Sequence, residues 1–321
     1  MNQPEFTAGT LDTREILRAS QFRFFRRLLR RPVAVTAIIV ILTIYTAGIL
    51  APVLAPYDFD KTDLHNTFAG SSGDHLLGTD RLGRDVLSRL IWSAQTTVIF
   101  SVITVAGGSL LLGVSLGLTS GYLAGRVDNV MMRVADALYS VPTLLLVLII
   151  NVTLEARVKG WFRDIEDFTG IGGLVRSGAP NIFLLSLALS IFGWVGMARL
   201  VRSQVLSLRE ANYVLAARAI GSSTPRILFR HLLPQLTNLM VVTLTLSLGA
   251  VALAEITYTF LGIGVEDHAS FGIMIFQYAG ATSVRAHPLL IFAPAAVVAL
   301  LMLSFNLLGD ALTDILSPRR R

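Results

Sequence analysis

What most constrains this chain is a succession of long stretches without a single charge. Pro32 to Tyr57 is 26 residues, more than the ~20 apolar residues that carry a helix through bilayer hydrocarbon. It is too long for a signal-peptide core and lacks a clean cleavage site before charge resumes, so a retained span is expected. Leu90 to Gly125 is 36 residues. At about 1.5 Å per residue this exceeds one perpendicular crossing, so part of it lies at the interface or the helix is long and tilted. Ala137 to Leu154 gives a third span with Pro142 as a kink, and Ser177 to Ala198 a fourth. His231 to Ala254, continuing past Glu255 to about Gly264, is the fifth, and Ala286 to Gly309 the sixth. Only 15% of the residues are charged, which agrees with an all-α integral membrane protein of six transmembrane helices.

The polar segments divide the chain further. Residues 1–31 carry seven arginines interleaved with Phe22, Phe24, Phe25, Leu28 and Leu29, the pattern of an amphipathic segment lying on a membrane surface. The first span, 32–57, leads to a polar segment over 58–89. A five-helix core follows over 90–316, with a basic insert at 209–234, and the tail is 317–321. Arg126 to Arg133 reads as a short charged turn, and Glu155 to Arg176 as a loop, with Gly170, Gly172 and Gly173. Six spans place both termini and the basic insert on one side. That side holds 18 of the 27 lysines and arginines, so it is expected to be cytoplasmic, with 58–89 outside. The same bias accounts for the net charge of +6 without nucleic acid.

The basic insert, Arg209 to Pro234, reads as two short helices with a break. Val214 to Ile220 is built of good helix formers and Gly221 supplies the stop. Thr224 can cap a second helix with Pro225 at its first position. Arg226 and Arg230 fall on one face, and Ile227, Leu228 and Leu232 on another. Pro234 marks entry to the fifth span. Elsewhere, Gly113, Gly117, Gly121 and Gly125 recur every four residues, a stripe that lets helices approach closely. Within it, Gly113-Val114-Ser115-Leu116-Gly117 matches a nucleophile pattern, but a mid-span helix lacks the strand–turn–helix elbow that chemistry needs. Glu255 lies in an apolar run, where an acid is costly unless paired or facing water. Two readings stand: it faces a path through the membrane, or it pairs near the outer end of its span. His65, His75, His268 and His287 lack ligand spacing. There is no cysteine, hence no disulfide, thiolate metal site or cysteine nucleophile. No Gly-x4-Gly-Lys loop exists, so the chain carries no phosphate cradle of that type.

Leu77-Gly78-Thr79-Asp80-Arg81-Leu82-Gly83-Arg84-Asp85-Val86-Leu87-Ser88-Arg89 can begin with a turn at Thr79 or Asp80 and places Asp85 and Arg89 as an i,i+4 pair. This string resembles the signature of the second permease of dipeptide, oligopeptide and nickel ABC importers. The basic insert is similar to the coupling loop of importer-type ABC permeases: Ala216, Ala217, Gly221, Leu233 and Pro234 fall in register, with Leu215 where the family has Glu and His231 where it has Ile. Val127-Asp128-Asn129, Met132-Arg133, Asp136, Ala198 to Arg202, Phe260 to Val265 and Phe305 to Asp310 extend the likeness over about Val33 to Pro318. Glu155 to Arg176 departs from it, being longer and more charged.

The resemblance implies the type I permease fold of ABC importers and a bacterial inner-membrane location. It implies a transport subunit without its own ATPase site and no cofactor in this chain. ATP and Mg would be bound by two ATPase partners, alongside a homologous permease, an external substrate-binding protein and membrane lipid. ATPase coupling is then expected at Tyr213, Ala216, Ala217, Arg218, Gly221, Leu233 and Pro234, with Glu255 a candidate for the path. Di- or oligopeptides are the implied cargo, with nickel or another small solute as the alternative. A secondary transporter or channel would instead want inverted repeats and embedded ion ligands.

Overall fold

A computed structural model describes residues 26–263 and 268–316. The expected lead-in over 1–25 and the tail 317–321 lie outside them. Among the described residues the chain is helical, with one isolated β-bridge between Thr79 and Asp85. The helices are α1 (Pro32–Ile49), α2 (Ala51–Leu54), α3 (Val86–Leu123), α4 (Gly125–Ser140), α5 (Thr143–Thr169), α6 (Ala179–Leu208), α7 (Asn212–Ala219), α8 (Thr224–Phe260), α9 (Phe271–Tyr278), α10 (Ala281–Ala286) and α11 (Leu289–Leu316). Five of them, α1, α3, α6, α8 and α11, are long and apolar enough to cross a membrane, and there are six if the bent pair α4 and α5 is counted as one span.

Three expected boundaries are corrected. Arg126 to Arg133 is not a turn but the start of α4; the turn is confined to Ala124 and Gly125, both at positive φ. Pro142 does more than kink a continuous helix: it lies at the break between α4 and α5, which diverge by 84°. Proline disfavours helical geometry in the residue before it, and Val141 is extended (φ −105°, ψ 135°). Glu155 to Arg176 is mostly helix, because α5 runs on to Thr169. Charge does not break a helix when it is paired along it: Lys159 reaches Glu155 at 2.8 Å, one turn away. The helix ends where Gly170 takes φ 70° and its N–H bonds the Glu166 carbonyl.

The core forms where α3 packs along α6. A Cβ at Gly113 would lie 2.7 Å from Met197 Cβ, at Gly117 2.7 Å from the Ala198 carbonyl, and at Gly121 2.8 Å from Val205 Cβ. This face of α3 is therefore in backbone contact with α6. Gly125 is not part of it: its Cβ would meet nothing, and its φ of 59° serves the turn. The stripe extends in the other direction to Gly108, where a Cβ would lie 2.9 Å from Ser190 Cα. That step is five residues because Val105–Val114 is a π-helical stretch, wider per turn than an α-helix. Ser115 lies in helix on both sides, so no nucleophile elbow exists. At one end of the bundle Arg31, before α1, pairs with Asp314 of α11 at 2.6 Å, so the start of the first span and the end of the last share an end.

Candidate functional site

The basic insert folds as an elbow between α6 and α8. After α6, the turn at Arg209 and Glu210 admits α7. Gly221, at φ 78°, closes it: the Gly221 N–H bonds the Arg218 carbonyl and the Ser222 N–H bonds that of Ala217, a paired ending that needs a left-handed residue. The second helix is the beginning of α8, which starts at Thr224 and runs without interruption to Phe260. Thr224 does not cap it; Ser223 holds that position without a side-chain bond. Pro234 is not an entry point but lies inside the continuous helix. Ile227–Leu232 immediately before it is π-helical, and the altered ladder accommodates a residue that has no N–H.

Val214 and Ala217 point inward, joining Val201, Val205, Leu118, Ile227, Leu228 and Leu232 in one buried cluster. Leu233 packs against the same cluster. Ala217 is thus a foot of the elbow rather than part of its free surface. Arg218 is anchored too: its Nε donates to the Tyr122 hydroxyl at 3.1 Å and its guanidinium lies over that ring. The outward surface is Tyr213, Leu215, Ala216 and Ile220. Ile220, 83% exposed, was missed by sequence reasoning; the signal available was a large apolar residue directly before the stopping glycine.

Two aspartate–arginine links brace this end. Asp128 of α4 receives Arg202 of α6 in a two-pronged contact, its second prong 2.6 Å, and also the Ser120 hydroxyl. Asp136 receives Arg199 at 2.6 Å. The motifs around residues 127–136 and 198–202, distant in sequence, are therefore one assembly.

At the opposite end, residues 58–89 form a knot on the start of α3. The Asp80 carboxylate, 1% exposed, accepts the backbone N–H groups of Leu82 (2.8 Å) and Arg84 (3.0 Å), Arg84 Nε (2.7 Å) and Arg89 Nη1 (2.8 Å). Burial pushes this carboxyl up, but the Arg84 N–H and the two guanidinium groups outweigh it and hold it below the usual carboxylate range. Both arginines also donate to Gln277 of α9 at 3.3 Å. The Asp85–Arg89 pair is a correction: Asp85 caps α3 through Ser88 N–H (2.7 Å) and meets His75 (3.0 Å), while Arg89 belongs to Asp80. Gly83 has no room for a side chain; its Cβ would fall on the Asp63 carbonyl, and its φ is 71°.

Glu255 is wholly buried inside the chain. Its two carboxylate oxygens accept the hydroxyls of Thr97 on α3 (2.9 Å) and Ser270 at the head of α9 (2.8 Å). Ser270 also contacts the Thr259 hydroxyl at 2.9 Å. Among the described residues no basic side chain pairs with it; its carboxylate is held by hydroxyls from α3 and from the head of α9.

The family described as "binding-protein-dependent transport system inner membrane component" matches residues 110–321. The family described as "N-terminal TM domain of oligopeptide transport permease C" matches residues 20–70. Among relatives, the oligopeptide transport system permease protein OppC of Bacillus subtilis (strain 168) is 36% identical over 289 residues, covering 90% of this chain and 86% of that one. The dipeptide transport system permease protein DppC of the same organism is 34% identical, covering 92% and 85%. The glutathione transport system permease protein GsiD of Pectobacterium atrosepticum is 32% identical, covering 92% and 90%. A multi-pass helical protein with its elbow locked between two long spans, this chain belongs to the family of binding-protein-dependent transport system inner membrane components.

Proposed function

We propose that this chain is one of two homologous permeases of an ATP-driven importer of di- or oligopeptides. Its elbow docks on one of two ATPase partners in the cytoplasm, and its Asp80 knot lies on the outer face toward a substrate-binding protein. Both termini are cytoplasmic, as the lysine and arginine bias favours. ATP and Mg are held by the ATPases, since this chain lacks a phosphate cradle of the Gly-x4-Gly-Lys type. Peptide cargo is supported by the names of the OppC and DppC relatives.

The observation that carries the reading is the division of α7 into two faces. Val214 and Ala217 are fixed in the same cluster as α6 and α8, while Tyr213, Leu215 and Ile220 stand free. A push on the free face is transmitted to two long spans without passing through a loop. Ile220→Asp replaces a free apolar contact with a charge and leaves the buried cluster untouched. Pull-down from membranes is expected to recover about tenfold less ATPase, as for loss of an apolar anchor at an interface, with chain abundance unchanged and ATP-dependent peptide uptake in vesicles reduced. Undiminished pull-down and normal uptake would overturn the docking assignment.

A further inference from the structure

A cavity opens at the knot end of the bundle and has two parts. Its mouth, about 690 Å³, carries four charged side chains, Asp58, Asp60, Arg84 and Arg176, beside Phe59 and Trp92. A second chamber, about 450 Å³, is lined almost wholly by apolar groups, among them Ile99, Ile103, Ile182, Phe162 and Phe183. The two share Trp92, Ser177 and His268, so they adjoin across these three side chains. From Trp92 to Ile103 the chamber follows α3 for eleven residue steps, about 16 Å of helix. Its walls, α3 and α6, are membrane-crossing helices. Phe59, Trp92 and His268 cluster at the junction, with ring centroids 4.7–6.1 Å apart, and amphipathic rings favour the level of lipid headgroups.

The polar groups at the mouth are not all committed within the chain. Arg84 is bound to Asp80, but Arg176 has no ion pair among the described residues, and neither has Asp58 or Asp60. His268 Nδ1 is buried at the junction with no hydrogen-bond partner. Burial lowers the pKa of this imidazole, opposed in part by Asp58 and Asp60, so it offers one uncharged donor or acceptor. A cation, two anions and an unpaired ring nitrogen above an apolar slot describe a molecule with both charges at one end and hydrocarbon at the other.

We propose that this cavity holds one phospholipid with a zwitterionic, ammonium-bearing headgroup: phosphate against Arg176, ammonium between Asp58 and Asp60, and one acyl chain along Ile99 and Ile103. A peptide carries both charges too, but its backbone amides would be stranded in the apolar chamber. A purely anionic lipid would meet Asp58 and Asp60 unfavourably. Such a lipid would tie α3, α6 and the 58–60 segment together at the outer end.

The test uses the assembled complex in vesicles containing phosphatidylethanolamine or phosphatidylglycerol, each with a photoreactive group in the acyl chain. The wild type is expected to be labelled at Ile99 to Ile103 and near Phe183, with phosphatidylethanolamine favoured about tenfold, the scale of charge-assisted hydrogen bonds. Asp58→Asn with Asp60→Asn, both exposed positions, should abolish that preference with assembly intact. Ile103→Trp should remove the labelling by filling the slot. Equal labelling by the two lipids in the wild type, or labelling indifferent to the variants, would overturn the proposal. So would capture of the companion permease by a photoreactive residue at position 103, or displacement of the lipid by peptide.

Discussion

Asp80→Asn tests whether the knot is a buried electrostatic centre or only a capped surface helix. Asp80 and Arg89 have side chains 1% and 5% exposed and meet at 2.8 Å. Removing the carboxylate charge leaves the Arg89 guanidinium enclosed, with Gln277 Oε1 at 3.3 Å as its remaining acceptor. Breaking a buried pair in this way costs about 3–5 kcal/mol. Arg84 contributes less to the loss, because its side chain is 15% exposed and can turn to water. About 3 kcal/mol is therefore expected, roughly a hundredfold at 1.4 kcal/mol per decade. Hydrogen exchange reads it directly: the Val86 N–H bonds the Gly78 carbonyl across the knot, and its protection should fall about a hundredfold. Arg89→Met alone leaves Asp80 with Arg84 and two backbone donors, so it should cost much less. In the double variant no guanidinium is stranded, and the combined loss should be smaller than the sum by about 2 kcal/mol. Additive effects, or a loss of protection under threefold for Asp80→Asn, would refute the reasoning and return the segment to an ordinary capped helix, whose cap is worth about 1 kcal/mol.

Two further outcomes follow from the same geometry. The folded Asp80 carboxyl lies below its unfolded value, so its stabilisation is present above about pH 4, the unfolded aspartate range, and is lost as pH falls through the folded pKa; Val86 protection, corrected for intrinsic exchange, should be level from pH 7 to 5 and fall below about pH 4, and Asp80→Asn should abolish that acid dependence. Gly117→Val drives a Cβ into Ala198 and Val201 and should cost about 1–3 kcal/mol by overpacking, whereas Gly125→Ala meets open space and pays only for its positive φ, about 1 kcal/mol; thermal inactivation of the purified complex should separate them, and a larger effect at Gly125 would sink the assignment of the packed face.

What could be read in the sequence was whatever depends on neighbours along the chain. The apolar runs give the crossings because length and lack of charge decide membrane residence, and Gly221 marks the end of α7 because a left-handed residue is needed there. The failures share a cause. Charge makes Arg126 to Arg133 read as a turn, and charge with three glycines makes Glu155 to Arg176 read as a loop, but the helices there use the charges: Asp128 holds Arg202 across 74 residues and Glu155 holds Lys159 across four. Asp85 and Arg89 have the spacing of a pair and are not one, since Asp80, nine residues before Arg89, offers the arginine a better-buried partner. Glu255 is satisfied by Thr97 and Ser270, from elements whose proximity no local pattern records. The resemblance marks Ala217 for docking, but a small residue suits close contact equally on the inward face, where Ala217 lies. A motif shows that a residue is constrained; which side constrains it is settled only when the packing partner is known. The elbow makes the point most sharply: Ala216 and Ala217 are adjacent in the motif, yet one faces out and the other is buried in the core with α6 and α8. In the proposed docking, a contact made on the first would be felt by the second at a distance of one residue, and that adjacency would let so short a helix transmit force.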